Sequence, residues 1–72
     1  MKIYVTRLER LNNGTKCVYT LTDGSVVIKH TNLLGKARFN FFDRRGSYVH
    51  KNKKREAMRK AVEHPKFWRL RR

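Results

Sequence analysis

The dipeptide Asp23-Gly24 stands between two runs, Thr15 to Thr22 and Ser25 to Thr31, that are rich in β-branched and aromatic residues. Asp-Gly in this setting is a strong hairpin signal, because both residues accept the positive φ values of a type I′ turn. A two-residue loop sets the register: Thr22 faces Ser25, Leu21 faces Val26, Tyr19 faces Ile28 and Cys17 faces His30. Cys17, Tyr19, Leu21, Val26 and Ile28 then share one face, the expected core side.

Upstream, Lys2 to Leu8 reads as a strand, separated from the hairpin by Leu11-Asn12-Asn13-Gly14 with its Asn-Gly turn signal. Ile3 and Val5 alternate against Tyr4, Thr6 and Leu8, so alternation leaves the buried face of this strand open. Asn32-Leu33-Leu34-Gly35 reads as a connection and Ala37 to Phe42 as a fourth strand. Asp43-Arg44-Arg45-Gly46 then turns the chain into a short strand, Ser47 to His50. From Asn52, a plausible N-cap, the period becomes helical: Ala57, Met58, Ala61 and Val62 form a narrow apolar stripe, and Pro65 ends the pattern near Glu63 or His64. Opposite the stripe, Glu56, Arg59, Lys60 and Glu63 are spaced for helical ion pairs. The expected fold is α+β, a small antiparallel sheet (a three-stranded meander plus one or two further short strands) packed with a single C-terminal helix. In outline this arrangement resembles small DNA-binding modules that insert a sheet in the major groove.

Length bounds what such a fold can do. A chain of 72 residues is one domain at most, and at this size only roughly 60% of the unfolded chain's surface is buried, which leaves little room for a large enclosed active site. Cys17 has no partner for an internal disulfide, and one thiol with His30, His50 and His64 gives no zinc spacing. No apolar run reaches the ~18 residues of a membrane span, and the N-terminus lacks the apolar core of a signal peptide. The expectation is a complete, cytoplasmic chain in a reducing compartment, with no metal and no cofactor.

Charge is the second constraint. Nineteen Lys and Arg against five Asp and Glu give +14. Residues 1–35, the meander scaffold, carry five bases and two acids; residues 36–72, the basic strand and turn, helix and tail, carry fourteen bases and three acids. Like charges on a small body destabilise it by self-repulsion, and a polyanion relieves this. Lys53, Lys54 and Arg55 open the helix, where each cation opposes the macrodipole by some ~0.3–1 kcal/mol. A local rule broken in this way points to function. The expected phosphate contacts are Arg38, Arg44, Arg45, Lys51, Lys53, Lys54, Arg55 and, in the tail, Arg69, Arg71 and Arg72.

Aromatics interleave with these bases. In Arg38-Phe39-Asn40-Phe41-Phe42, strand alternation sends Phe39 and Phe41 to the core and Phe42, with Arg38 and Asn40, to the other face. Phe42 is therefore the stacking candidate, although the string lacks the glycine pattern of an RNP motif. Phe67 and Trp68 in the tail are either anchors for a partner or, for Trp68, a lid on the open end of the core.

No catalytic constellation emerges. Asp23 and Asp43 have turn roles and Glu56 and Glu63 have helix-pairing roles, leaving Glu9 alone. A metal-dependent nuclease needs clustered carboxylates. The expectation is a non-enzymatic nucleic-acid-binding protein, for DNA or RNA, with no small-molecule substrate. The alternative is a small interaction protein or inhibitor, of viral origin given its size, that binds an acidic surface of another protein such as a nucleic-acid enzyme through Phe67, Trp68 and Leu70. A ribonucleoprotein component is a third reading. Membrane-surface binding is disfavoured by the short, narrow stripe of the helix.

Overall fold

The computed structural model describes residues 3–70. Four strands, β1 (Val5–Leu11), β2 (Lys16–Leu21), β3 (Val26–Thr31) and β4 (Ala37–Phe42), pair antiparallel in the order β1-β2-β3-β4. Among the described residues one α-helix, α1 (Asn52–Glu63), follows, and a short 3-10 turn, Pro65–Phe67, leads into the tail. The α+β expectation holds, with β4 and α1 at their expected positions. Ser47 to His50 is not a full strand: Tyr48 bridges Phe42, and the Val49 amide donates to the Phe41 carbonyl at 2.9 Å.

The hairpin register differs from expectation by one residue. Tyr19 pairs with Val27, Val18 with Ile28 and Lys16 with His30, so His30 does not lie beside Cys17, whose partner is Lys29. The loop has three residues, Thr22-Asp23-Gly24: the Leu21 amide donates to the Ser25 carbonyl (2.9 Å) and the Gly24 amide to the Leu21 carbonyl (3.0 Å). This loop needs a positive φ only at its last residue, and Gly24 supplies it at +85°. A two-residue type I′ loop would also force Asp23 to positive φ. The slip turns Val27 into the core and leaves Val26 and Ile28 on the opposite face, as a one-residue shift must. The same closure recurs at Asn32 to Lys36 and at Asp43 to Ser47.

The first strand also departs from simple alternation. Between Val5, opposite Leu21, and Arg7, opposite Thr20, β1 carries one extra residue, Thr6. This bulge brings Val5 and Leu8 to the same face, which is why alternation left the buried side of β1 open.

Helix α1 covers one face of the sheet. Met58, Ala61 and Val62 pack on Val5, Tyr19, Leu21, Val27 and Phe41, and Leu8, Cys17 and Phe39 border this core. Ala57, expected in the stripe, is exposed. Lys51 caps the helix without a side-chain bond and Asn52 is its first helical residue, correcting the expected Asn52 cap. Helical spacing explains the difference at Ala57: Met58, Ala61 and Val62 stand at i, i+3 and i+4, one face of a helix, and Ala57 lies at its rim. The tail docks on the free edge of β1, where Trp68 forms a parallel bridge to Val5 and the Arg69 amide donates to the Val5 carbonyl (2.6 Å).

Candidate nucleic-acid interface

One end of the sheet collects the features that sequence kept apart. The loop 22–24 and the arginine turn 44–46 lie against each other there, so closely that a Cβ at Gly24 would meet the Arg44 Cβ at 3.1 Å. Arg44 and Arg45 are exposed on a turn held from beneath: the Asp43 carboxylate accepts the Arg45 amide (2.8 Å) and the Ser47 amide (3.0 Å). Such Asx bonds fix the backbone and leave both guanidinium groups free to point outward.

Helix α1 begins beside this end. Lys54 does not project into solvent with its neighbours. It bonds and pairs with the Asp23 carboxylate, whose other oxygen accepts the Ser25 amide (3.0 Å) and hydroxyl. Partial burial pushes the Asp23 carboxyl up, but Lys54 and the two Ser25 donors outweigh it and hold it down at about 2. Asp23 thus supplies the negative charge that the first turn of α1 lacks. Lys51 and Lys53 remain exposed. Arg55 lies with its guanidinium carbon 5.4 Å from the Phe41 ring centre, and Arg59 sits 4.9 Å over Phe39. These two arginines shield the β4 edge of the core as cation–π partners while staying solvent-facing.

Other expected residues are spread further. Arg38 is exposed at the opposite end of β4, paired in register with His30. Arg69 stacks over Tyr4 at 4.6 Å and donates to the carbonyls of Lys66 (2.8 Å) and Trp68 (3.0 Å), so it is fastened to the tail. Arg71 and Arg72 lie outside the described residues. Trp68 takes the lid role: its indole N–H donates to the carbonyls of Ala61 (3.2 Å) and Val62 (3.1 Å), and its ring packs 6.0 Å from Tyr19. Phe67 is half-buried beside Tyr4 and the core. Neither is placed as a free anchor.

The uncovered face of the sheet adds residues that sequence reasoning passed over. Two of its cross-strand rows run Arg7, Thr20, Val26, Phe42 and Glu9, Val18, Ile28, Asn40. The third runs Leu11, Lys16, His30, Arg38. Arg7 and Glu9 pair at 3.1 Å. Phe42, placed on this face as alternation requires, carries the exposed Tyr48 against it with ring centres 4.9 Å apart. Tyr48 was legible only through the loop length: a three-residue closure from Asp43 to Ser47 sets Phe42 opposite Tyr48.

Among the described residues, no group of three or more His, Cys, Asp or Glu is placed to hold a metal ion, and no helix is long and apolar enough to cross a membrane. The chain matches no family model, no curated protein and no solved structure. Exposed arginines and lysines around one sheet end are chemically suited to neutralising anionic groups, phosphates or carboxylates.

Proposed function

We propose that the chain is a non-enzymatic nucleic-acid-binding protein of the cytoplasm that grips DNA or RNA mainly through phosphate contacts from its basic C-terminal half. The observation that carries this is the shared sheet end. Arg44, Arg45, Lys51, Lys53, Lys54 and Arg55 stand there against three carboxylates, of which Asp23 and Asp43 are engaged by local donors and Glu56 is exposed beside Arg55. A rigid cluster of this kind releases condensed counterions and gives affinity that falls steeply with salt. Arg44 and Arg45 lead, with Lys51 and Lys53 beside them; Lys54 acts by bracing the turn.

The alternative, binding to an acidic surface of another protein, loses the anchors Phe67 and Trp68 to the core and keeps Leu70, which is exposed. Its support is the β3–β4 tip, where Leu33 and Leu34 are fully or largely exposed at the end of the sheet away from the arginine turn.

A salt series with a labelled single strand, a duplex and an RNA hairpin tests the proposal. The expected result is binding at low salt, a steep fall as salt rises, and a shallower slope with weaker binding for the Arg44→Glu/Arg45→Glu double variant. Absence of binding at low salt overturns the proposal, and an unchanged double variant overturns its site.

A further inference from the structure

Between the arginine turn and the middle of the uncovered face lies a shallow depression of about 290 Å³. Val26, Ile28 and Phe42 give it an apolar floor, and Gly24, Asp43, Arg44 and Gly46 form its rim, where the Asp43 carboxylate is engaged by the Arg45 and Ser47 amides. Tyr48, 61% exposed, lies outside this lining and sets its ring against Phe42, tilted by 32° with ring centres 4.9 Å apart. We propose that this depression seats an unpaired nucleobase, with Phe42 and Tyr48 as the stacking surface and Arg44 and Arg45 holding the adjoining phosphates, so that the preferred partner is a single strand. The proposal rests on the nucleic-acid reading above and specifies which form of nucleic acid is bound.

Three observations choose a single strand over a duplex. The floor is apolar where a duplex presents polar base edges in its grooves, whereas every unpaired base offers a π-face. The aromatic pair is available: Phe39, Phe41, Phe67 and Trp68 are spent on the core, while Tyr48 projects from it. Finally, one cation, Arg44, stands at the rim of the apolar floor, with Arg45 next to it in the turn. An apolar floor with a guanidinium group at its rim complements a base with its flanking phosphate better than it complements an uncharged apolar peptide.

The backbone of the Arg44–Arg45 turn is held by the Asp43 carboxylate and lies close against Gly24, so both arginine side chains start from a fixed rim. Preorganisation of this kind lets a flat, flexible ligand bind without ordering the protein first.

The test uses the full chain and three probes of equal length, a mixed-sequence single strand, the same strand with abasic residues throughout and its duplex, and repeats the single-strand titration with the Tyr48→Ala and Tyr48→Phe variants. Stacking predicts that the abasic strand binds more weakly than the base-bearing strand. Tyr48→Ala should weaken single-strand binding by roughly 5- to 150-fold, the range set by loss of one base–aromatic stack. Tyr48→Phe should restore it, and the salt slope should be the same for all three proteins because phosphate contacts are untouched. Thermal melts of the variants confirm folding, which an exposed side chain should leave intact. Equal binding of abasic and normal strands, or an unaffected Tyr48→Ala, overturns the base site while leaving the phosphate reading in place. Tighter binding of the duplex also overturns the single-strand preference alone. No binding to any probe at low salt overturns both.

Discussion

Lys54, in the first turn of α1, pairs with Asp23 in the β2–β3 loop and so ties the helix N-terminus to the hairpin 31 residues before it. A cation placed where the helix dipole disfavours it thereby meets an acid that the first turn of the helix lacks. The pair also fixes which basic residues remain available: Lys54 braces, while Lys51 and Lys53 stay exposed.

Acid should reveal this brace. The folded Asp23 carboxyl sits at about 2, below its ordinary 3.8, so its contribution is fully present above that ordinary value and is lost as pH falls from about 4 through about 2. Denaturant midpoints measured across this interval should fall for the native chain and fall less for Asp23→Asn, which starts lower by about 1 kcal/mol at neutral pH through loss of the ion pair and of hydrogen bonds. A native chain whose midpoint is flat between pH 4 and pH 2 would contradict the pairing.

Gly24 and Gly46 provide an internal comparison. Both have φ of +85°, but a Cβ at Gly24 meets Arg44 at 3.1 Å whereas one at Gly46 meets nothing within 4 Å. Gly46→Ala should cost about 1–2 kcal/mol for the left-handed backbone alone. Gly24→Ala should cost more, because backbone must also move, and it should displace the arginine turn and weaken nucleic-acid binding. Thermal melts and a binding titration on the two variants check both parts.

Trp68 should behave as a core residue. Trp68→Ala removes two hydrogen bonds to α1 and a ring packed on Tyr19, and should destabilise by about 2–4 kcal/mol. For a domain of this size that corresponds to a melting temperature lower by about 8–32 °C, at about 4–8 °C per kcal/mol. Trp68→Phe keeps the ring and loses the donor, so it should fall between the two in a circular-dichroism melt.

Self-repulsion of the +14 charge predicts that salt and polyanions stabilise the fold. The melting temperature should rise from low to moderate salt, and rise further when a single strand is added at low salt, by linkage to the folded state. The added shift from the single strand should shrink as salt increases, because the same ions compete for the cations. A strand that lowers the melting temperature, or a shift independent of salt, would oppose the nucleic-acid reading.

Much of the architecture was readable from local pattern. The positions of β4 and α1, the turn glycines, the assignment of Phe39 and Phe41 to the core side and Phe42 to the other, and the concentration of charge after Gly35 all follow from signals a few residues long. Alternation is reliable where a strand is unbroken, as in β4. It failed in β1, where the extra residue Thr6 resets the faces, and across the hairpin, where Asp23-Gly24 is compatible with either a two- or a three-residue loop.

What distinguishes those loops is the contest between burying Val27 and burying Val26 with Ile28, settled by the shape of the core that Met58, Ala61 and Val62 offer from the helix. The same distance in sequence hides the brace of Asp23 on Lys54, the approach of Gly24 to Arg44 and the docking of Trp68 on Val5. Periodicity and turn chemistry act between neighbours, so they specify elements and their charge. Register, pairing of distant charges and the choice of which aromatic stays exposed depend on burial across the assembled sheet and helix, and so exist only once the chain is folded.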